Sequence, residues 1–330
     1  MKAQLLIDSQ CALGEGATWC AATGRFYWTD IEGKRLWRYD PRDASSVSFD
    51  MPERLACFAL CADADVLLLG LASRLAFFSL KTGAIETIVP VEAELPTRIN
   101  DGKCDRQGRF VFGTKHDVAK AEKIGGFYRL NLDLSLERLP LGECAISNSI
   151  AFSPDGSRMV FCDSPERVIR VCDYDSFANQ RVFVELSDAS GEPDGSAVDS
   201  DGGLWNAQWG GSRVVRYDAD GRETARIDVP TAQPSCVAFG GPTKGLPPGR
   251  PQLDTLYITS ARVGLDAGAL QHDPHAGAVF IATPPERGIA EPVFRGRSRT
   301  HCAGEGRGGL HAPRSRPAVS RCKHNTRRRA

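Results

Sequence analysis

The sequence predicts an all-β protein, a six-bladed β-propeller, and three observations lead there. Helical periodicity is almost absent. A unit of short strand, turn and second short strand recurs six times, each roughly 40 to 50 residues after the last, the spacing of propeller blades. Turns such as 105–108 (DRQG), 153–156 (SPDG) and 200–203 (SDGG) lead into runs rich in Val, Ile, Phe and Tyr. Those are hairpin signals.

The first unit joins 25–30 (RFYWTD) to 35–40 (RLWRYD), and the second joins 66–70 (VLLLG) to 75–79 (LAFFS). The third joins 109–113 (RFVFG) to 126–130 (GFYRL), and the fourth 158–163 (RMVFCD) to 168–173 (VIRVCD). The fifth joins 203–207 (GLWNA) to 213–218 (RVVRYD), and the sixth 255–259 (TLYIT) to 277–281 (GAVFI). Six four-stranded blades would absorb residues 1–296, and the ring would hide strand edges that otherwise invite aggregation. Strand 4–7 (QLLI) is expected to pair with the last blade near 292–294 (PVF) and close the ring. Trp28, Trp37, Tyr39, Trp205 and Tyr217 are expected to pack between blades.

The chain has 330 residues, 42% of them hydrophobic, with a formal net charge of +0. Bulk charge therefore excludes a general nucleic-acid or membrane-surface binder. No apolar run approaches the ~18 residues of a membrane helix. The N-terminus turns polar too soon for a secretory signal. A cytoplasmic protein without nucleic-acid or membrane partners is expected. The 11 Cys are scattered, with no CxxC, which reads as reduced and mostly buried thiols. Residues 297–330 differ from the rest. They hold nine Arg and one Lys against one Glu (10 − 1 = +9), so the first 296 residues carry −9. This stretch reads as an Arg-rich, disordered tail outside the propeller domain.

In a propeller, the innermost strands surround a channel, and loops at one end build the site. Polar residues stand at equivalent places ahead of four inner strands. They are Glu15 in 13–19 (LGEGATW), Asn100 in 98–102 (RINDG), Asn148 in 147–152 (SNSIAF) and Asp194 in 192–195 (EPDG). Their successive spacings are 85, 48 and 46 residues, or two blades, one and one. Converging on one axis, they offer two carboxylates and two amide oxygens. Such a set suits a hard divalent cation (Ca²⁺, Mg²⁺ or Mn²⁺), with Zn²⁺ or Fe²⁺ also acceptable. No His belongs to it, which argues against an imidazole zinc site and a Ser-His-Asp hydrolase. A cation with open positions polarises an ester carbonyl or acidifies water, and Asp194 is placed to act as general base. His116 and Asp117 either reach the channel mouth or begin a solvated loop. Asp101 is expected to brace its loop.

These residues, in this order, resemble the SMP-30/gluconolactonase/LRE family, which includes regucalcin and bacterial sugar lactonases. The likeness is carried by 13–19 with 27–31 (YWTDI), and by 98–105 (RINDGKCD) with Gly113-Thr114. It continues through Ser147-Asn148, 153–156, 193–195 (PDG), 203–205 (GLW), 239–241 (FGG) and 256–260 (LYITS). The resemblance implies a six-bladed propeller holding one divalent metal ion, with Glu15, Asn148 and Asp194 as ligands. It implies that Arg98 and Asn100 contact the substrate, with Asp194 as base. The implied activity is hydrolysis of an aldonolactone, such as arabinono-, xylono- or gluconolactone, to its aldonic acid. A calcium-binding or interaction propeller, or a hydrolase of other esters or organophosphates, are the alternatives. Two departures stand out. Ser149 follows Asn148 where the family has Gly, and Lys115-His116-Asp117 replaces a Met-containing stretch in a loop that helps choose the sugar.

Overall fold

The structure, a computed structural model, describes residues 1–241 and 253–296. The tail 297–330 lies outside the described residues. Six four-stranded sheets form the six blades. Their innermost strands are Gly14–Cys20, Leu55–Leu60, Thr97–Cys104, Ser147–Phe152, Glu192–Val198 and Pro234–Gly240. Each touches the inner strands on both sides, so the six stand around one axis. The strand pairs read from the sequence form the middle of each blade. Arg25–Asp30, Arg35–Asp40, Arg158–Asp163 and Val168–Asp173 have the expected bounds, and the others shift by one to three residues. Among the described residues, the one α-helix is Ala267–His272, and no helix is long and apolar enough to cross a membrane.

Small residues let the inner strands crowd together. A side chain at Gly195 would lie 2.6 Å from the Cys236 sulfur. The core fills the spaces between blades. Trp28, Tyr39 and Trp205 share one cluster built from blades 1, 5 and 6, with Trp37 packed against it. Tyr217 belongs to the cluster between blades 4 and 5. Nine described cysteines are free thiols, and all but Cys61 are buried.

Ring closure differs from the sequence expectation. Strand Gln4–Ile7 pairs antiparallel with Val279–Ala282 and forms the outer edge of blade 6. It does not pair with 292–294. Blade 6 supplies only three strands of its own, so the N-terminal strand is its missing fourth, while the chain after Ala282 leaves the sheet. Residues 284–296 then run as a strap across the opposite end of the ring from the inner-strand openings. Ser200 N donates to Arg287 O (2.7 Å), Gly288 N to Leu253 O (2.7 Å), Phe294 N to Leu60 O (2.7 Å) and Arg295 N to Gly108 O (2.9 Å). Phe294 is fully buried beside Phe77.

Candidate functional site

Every inner strand breaks register once, near its start. The shifts fall between Glu15 and Thr18, Leu55 and Cys57, Ile99 and Gly102, Asn148 and Ala151, Pro193 and Ser196, and Pro234 and Val237. Bulges re-aim side chains and end pairing locally. Here they turn the polar residues toward the axis. Blades 2 and 6 carry Ala56 and Ser235-Cys236 at the corresponding places, so the acidic and amide groups come from the other four.

The structure brings all five sequence-selected residues into one cavity of about 230 Å³, lined by Glu15, Arg98, Asn100, Asn148 and Asp194. Lys115, Ser164, Glu192 and Trp209 complete its polar wall, and Leu13, Ile31, Ile146 and Val263 its apolar rim. A larger groove of about 550 Å³ lies between the outer strands of blades 4 and 5. It contains none of these residues, and the convergent chemistry is on the axis.

Hydrogen bonds fix each group. Asn148 Nδ2 donates to Ser164 Oγ (2.9 Å), which directs its Oδ1 the other way. Asn100 Nδ2 donates to Ser147 O (2.8 Å) and Asn148 Oδ1 (3.3 Å), while Asn100 Oδ1 accepts from Arg98 Nη1 (2.8 Å). Asn100 thus links Arg98 to Asn148, and its oxygen is already engaged by the guanidinium. Asp101 accepts from Gly102 N (2.8 Å) and, across to blade 4, from Ile150 N (2.9 Å). Arg98 is 3% exposed, donates also to Ile99 O (2.9 Å), and lies 3.6 Å from the Asp117 carboxylate. Asp117 is in turn held by Arg54. Asp117 therefore backs Arg98 without lining the cavity itself. His116 instead accepts from Glu122 N (3.0 Å) in the exposed loop.

Supports that sequence reading missed lie just upstream. Asp30 accepts from Ala12 N (3.2 Å) and Leu13 N (3.0 Å), fixing the approach to Glu15. Asp163 does the same for Asn148 through Ala145 N (3.0 Å) and Ile146 N (2.8 Å). The aspartates ending the second strands of blades 1 and 4 were the signal. Ser149 has φ +60, matching Gly16 at +62 in blade 1. This left-handed backbone normally favours Gly. In return the Ser149 hydroxyl donates to Asp194 O (2.6 Å) and accepts from Asn206 Nδ2 (3.0 Å). The departure from Gly thus braces the backbone of Asp194.

Two buried carboxyls dominate the electrostatics. Burial, and then Asp101, push Glu15 up to about 8. Burial, and then Glu15, push Asp194 well above the usual carboxylate range. Two such groups facing each other with no positive charge between them are mutually unfavourable. Among the described residues no group of three or more His, Cys, Asp or Glu side chains is placed to hold a metal. The set is two acids and the Asn148 amide oxygen. An all-oxygen set with two negative charges fits a hard divalent cation, which would neutralise the pair.

A model of the SMP-30/Gluconolactonase/LRE-like region matches residues 13–262. The chain is 58% identical over 302 residues to the L-arabinolactonase of Azospirillum brasilense, covering 90% of this chain and 97% of that protein. It is 34% identical to a pentonolactonase of Haloferax volcanii, covering 88% and 96%. Its fold superposes on the crystal structure of a calcium-binding protein, regucalcin, from Agrobacterium tumefaciens. That match has a TM-score of 0.81 at 29% identity and covers 89% of this chain and 97% of the other.

Proposed function

Because the chain belongs to the SMP-30/gluconolactonase/LRE-like family, we propose that it is a sugar lactonase, a carboxylic ester hydrolase that opens an aldonolactone to its aldonic acid. The observation that carries this is the 58% identity to an L-arabinolactonase over nearly that protein's whole length. A five-carbon lactone, L-arabinolactone first, is the substrate that this likeness supports. A pure scaffold would not need a buried arginine beside the acids.

Glu15, Asn148 and Asp194 would hold one divalent cation, for which the likeness to a calcium-binding regucalcin makes Ca²⁺ a candidate. Such an ion, when bound, supplies Lewis-acid polarisation of the lactone carbonyl. Arg98 binds substrate oxygens, held in place by Asn100 and Asp117. Asn100, with its amide hydrogens engaged, keeps one lone pair on Oδ1 to accept from a sugar hydroxyl. Asp194 takes a proton from water as the water oxygen adds to the carbonyl carbon. The ring C–O bond then breaks, and the ring oxygen leaves as a hydroxyl carrying that proton. A bound cation would offset the burial and the Glu15 charge that raise the Asp194 carboxyl, leaving it ionised and able to take the proton.

A pH-stat screen of aldonolactones tests this, using metal-stripped protein with each divalent ion restored in turn. Wild type is expected to open a pentonolactone only with a divalent ion present. Asp194→Ala is expected to lose roughly 100-fold or more after spontaneous opening is subtracted. Equal rates for Asp194→Ala and wild type would remove Asp194 from the mechanism.

A further inference from the structure

Lys115 is unused in the scheme above, yet it lines the same cavity. Its backbone pairs with Arg98 across the blade 3 hairpin. Directly opposed residues of an antiparallel pair point to the same face, so the two cationic side chains share one wall. On its other side Lys115 bridges to Ile146, in the approach to blade 4's inner strand. The strand position is therefore pinned from both sides.

The two cations are held differently. Arg98 is locked by Asn100, Ile99 and Asp117. Among the described residues, no hydrogen bond or ion pair reaches the Lys115 ammonium. The nearest carboxylate along the strand, Asp117, is taken by Arg54 and Arg98. The Lys115 ammonium is not among the fully enclosed unpartnered atoms, so the cavity reaches it, and its acceptor comes from water or from a ligand. Burial, and then Arg98, lower it from an ordinary 10.5 to about 8. A lysine is a compact charge with three rotatable donors on a flexible stem. It suits an acceptor that arrives from outside the protein.

We infer that Lys115 is a specificity-determining, substrate-binding residue whose ammonium donates a hydrogen bond to a ring-hydroxyl oxygen of the bound lactone, beside Arg98. This rests on the lactonase reading. Lys115 then selects the hydroxyl pattern of the sugar, whereas Arg98, fixed by the protein, grips features that all substrates share.

The test pairs Lys115→Met with lactones that each lack one hydroxyl. A charge-assisted hydrogen bond corresponds to about 10- to 100-fold in kcat/KM. Lys115→Met is expected to lose that factor on the best lactone, mainly through KM. One deoxy-lactone should cost wild type a similar factor but cost Lys115→Met almost nothing, because the partner is already gone. Lys115→Arg should recover part of the loss. If Lys115→Met does not fold, as judged by thermal unfolding, Lys115→Gln carries the same comparison. A loss that is equal on every lactone, or no loss at all, overturns the inference. If wild type opens no aldonolactone, the lactonase reading itself falls. The two failures are therefore distinguishable.

Discussion

A residue kept for a ligand rather than for the fold should weigh against stability, and Lys115 makes that measurable. Its ammonium is ordinary at 10.5 in the unfolded chain and lowered to about 8 in the folded one. Below pH 8 both states are protonated, and the folded state carries the whole penalty. Between pH 8 and 10.5 the unfolded chain binds a proton that the folded protein does not, so stability rises with pH. At 1.36 kcal/mol per decade, the gap corresponds to about 3.4 kcal/mol below pH 8. The side chain is only partly buried, so solvent screening brings the expected effect to about 1 to 3 kcal/mol. Lys115→Met should therefore be more stable than wild type by that amount at pH 7, and the advantage should shrink as the pH approaches 10. Urea unfolding at a series of pH values, in chelator, reads the difference directly. A variant no more stable than wild type at pH 7, or one with a constant advantage across the range, would refute the reasoning.

Two further expectations concern the supports. Asp117→Asn removes the carboxylate beside Arg98 and should raise KM about 10-fold with little change in kcat, since it loosens a binding group rather than the base; steady-state kinetics on the best lactone decide it, and an unchanged KM would sever Asp117 from Arg98's role. Phe294→Ala hollows the strap's buried anchor and should cost about 3 to 5 kcal/mol in urea unfolding. Activity per folded molecule should hold, because the strap lies at the far end of the ring from the cavity; lost activity in folded protein would show that the two ends are coupled.

The middle strands of each blade were readable because turn residues bracket short runs of β-branched and aromatic side chains. The inner strand Leu55–Leu60 was not, since it is buried along its whole length and shows no alternation. Half-exposed outer strands such as Arg181–Glu185 and Glu223–Asp228 have too little apolar pattern to stand out. Strand Gln4–Ile7 was recognised, but its partner was not, because nothing local specifies pairing across nearly the whole chain. At the site, Glu15, Asn148 and Asp194 were legible as polar interruptions at blade spacing. Lys115 was visible only as a departure in a loop, because its significance depends on a cross-strand neighbour and on which carboxylates are already occupied.

The N-terminal strand has a consequence for how this protein is made. Gln4 finds its partner at Ile281, 277 residues later. At about 5 to 20 residues per second, a ribosome needs roughly 14 to 55 s to deliver that partner. Through that interval five blades can assemble in order as they emerge, while the first-made strand waits as an open edge. The ring is therefore zipped last by the earliest-made of its strands. Anything that sequesters the opening residues during translation would leave the sixth blade a strand short, however sound the other five.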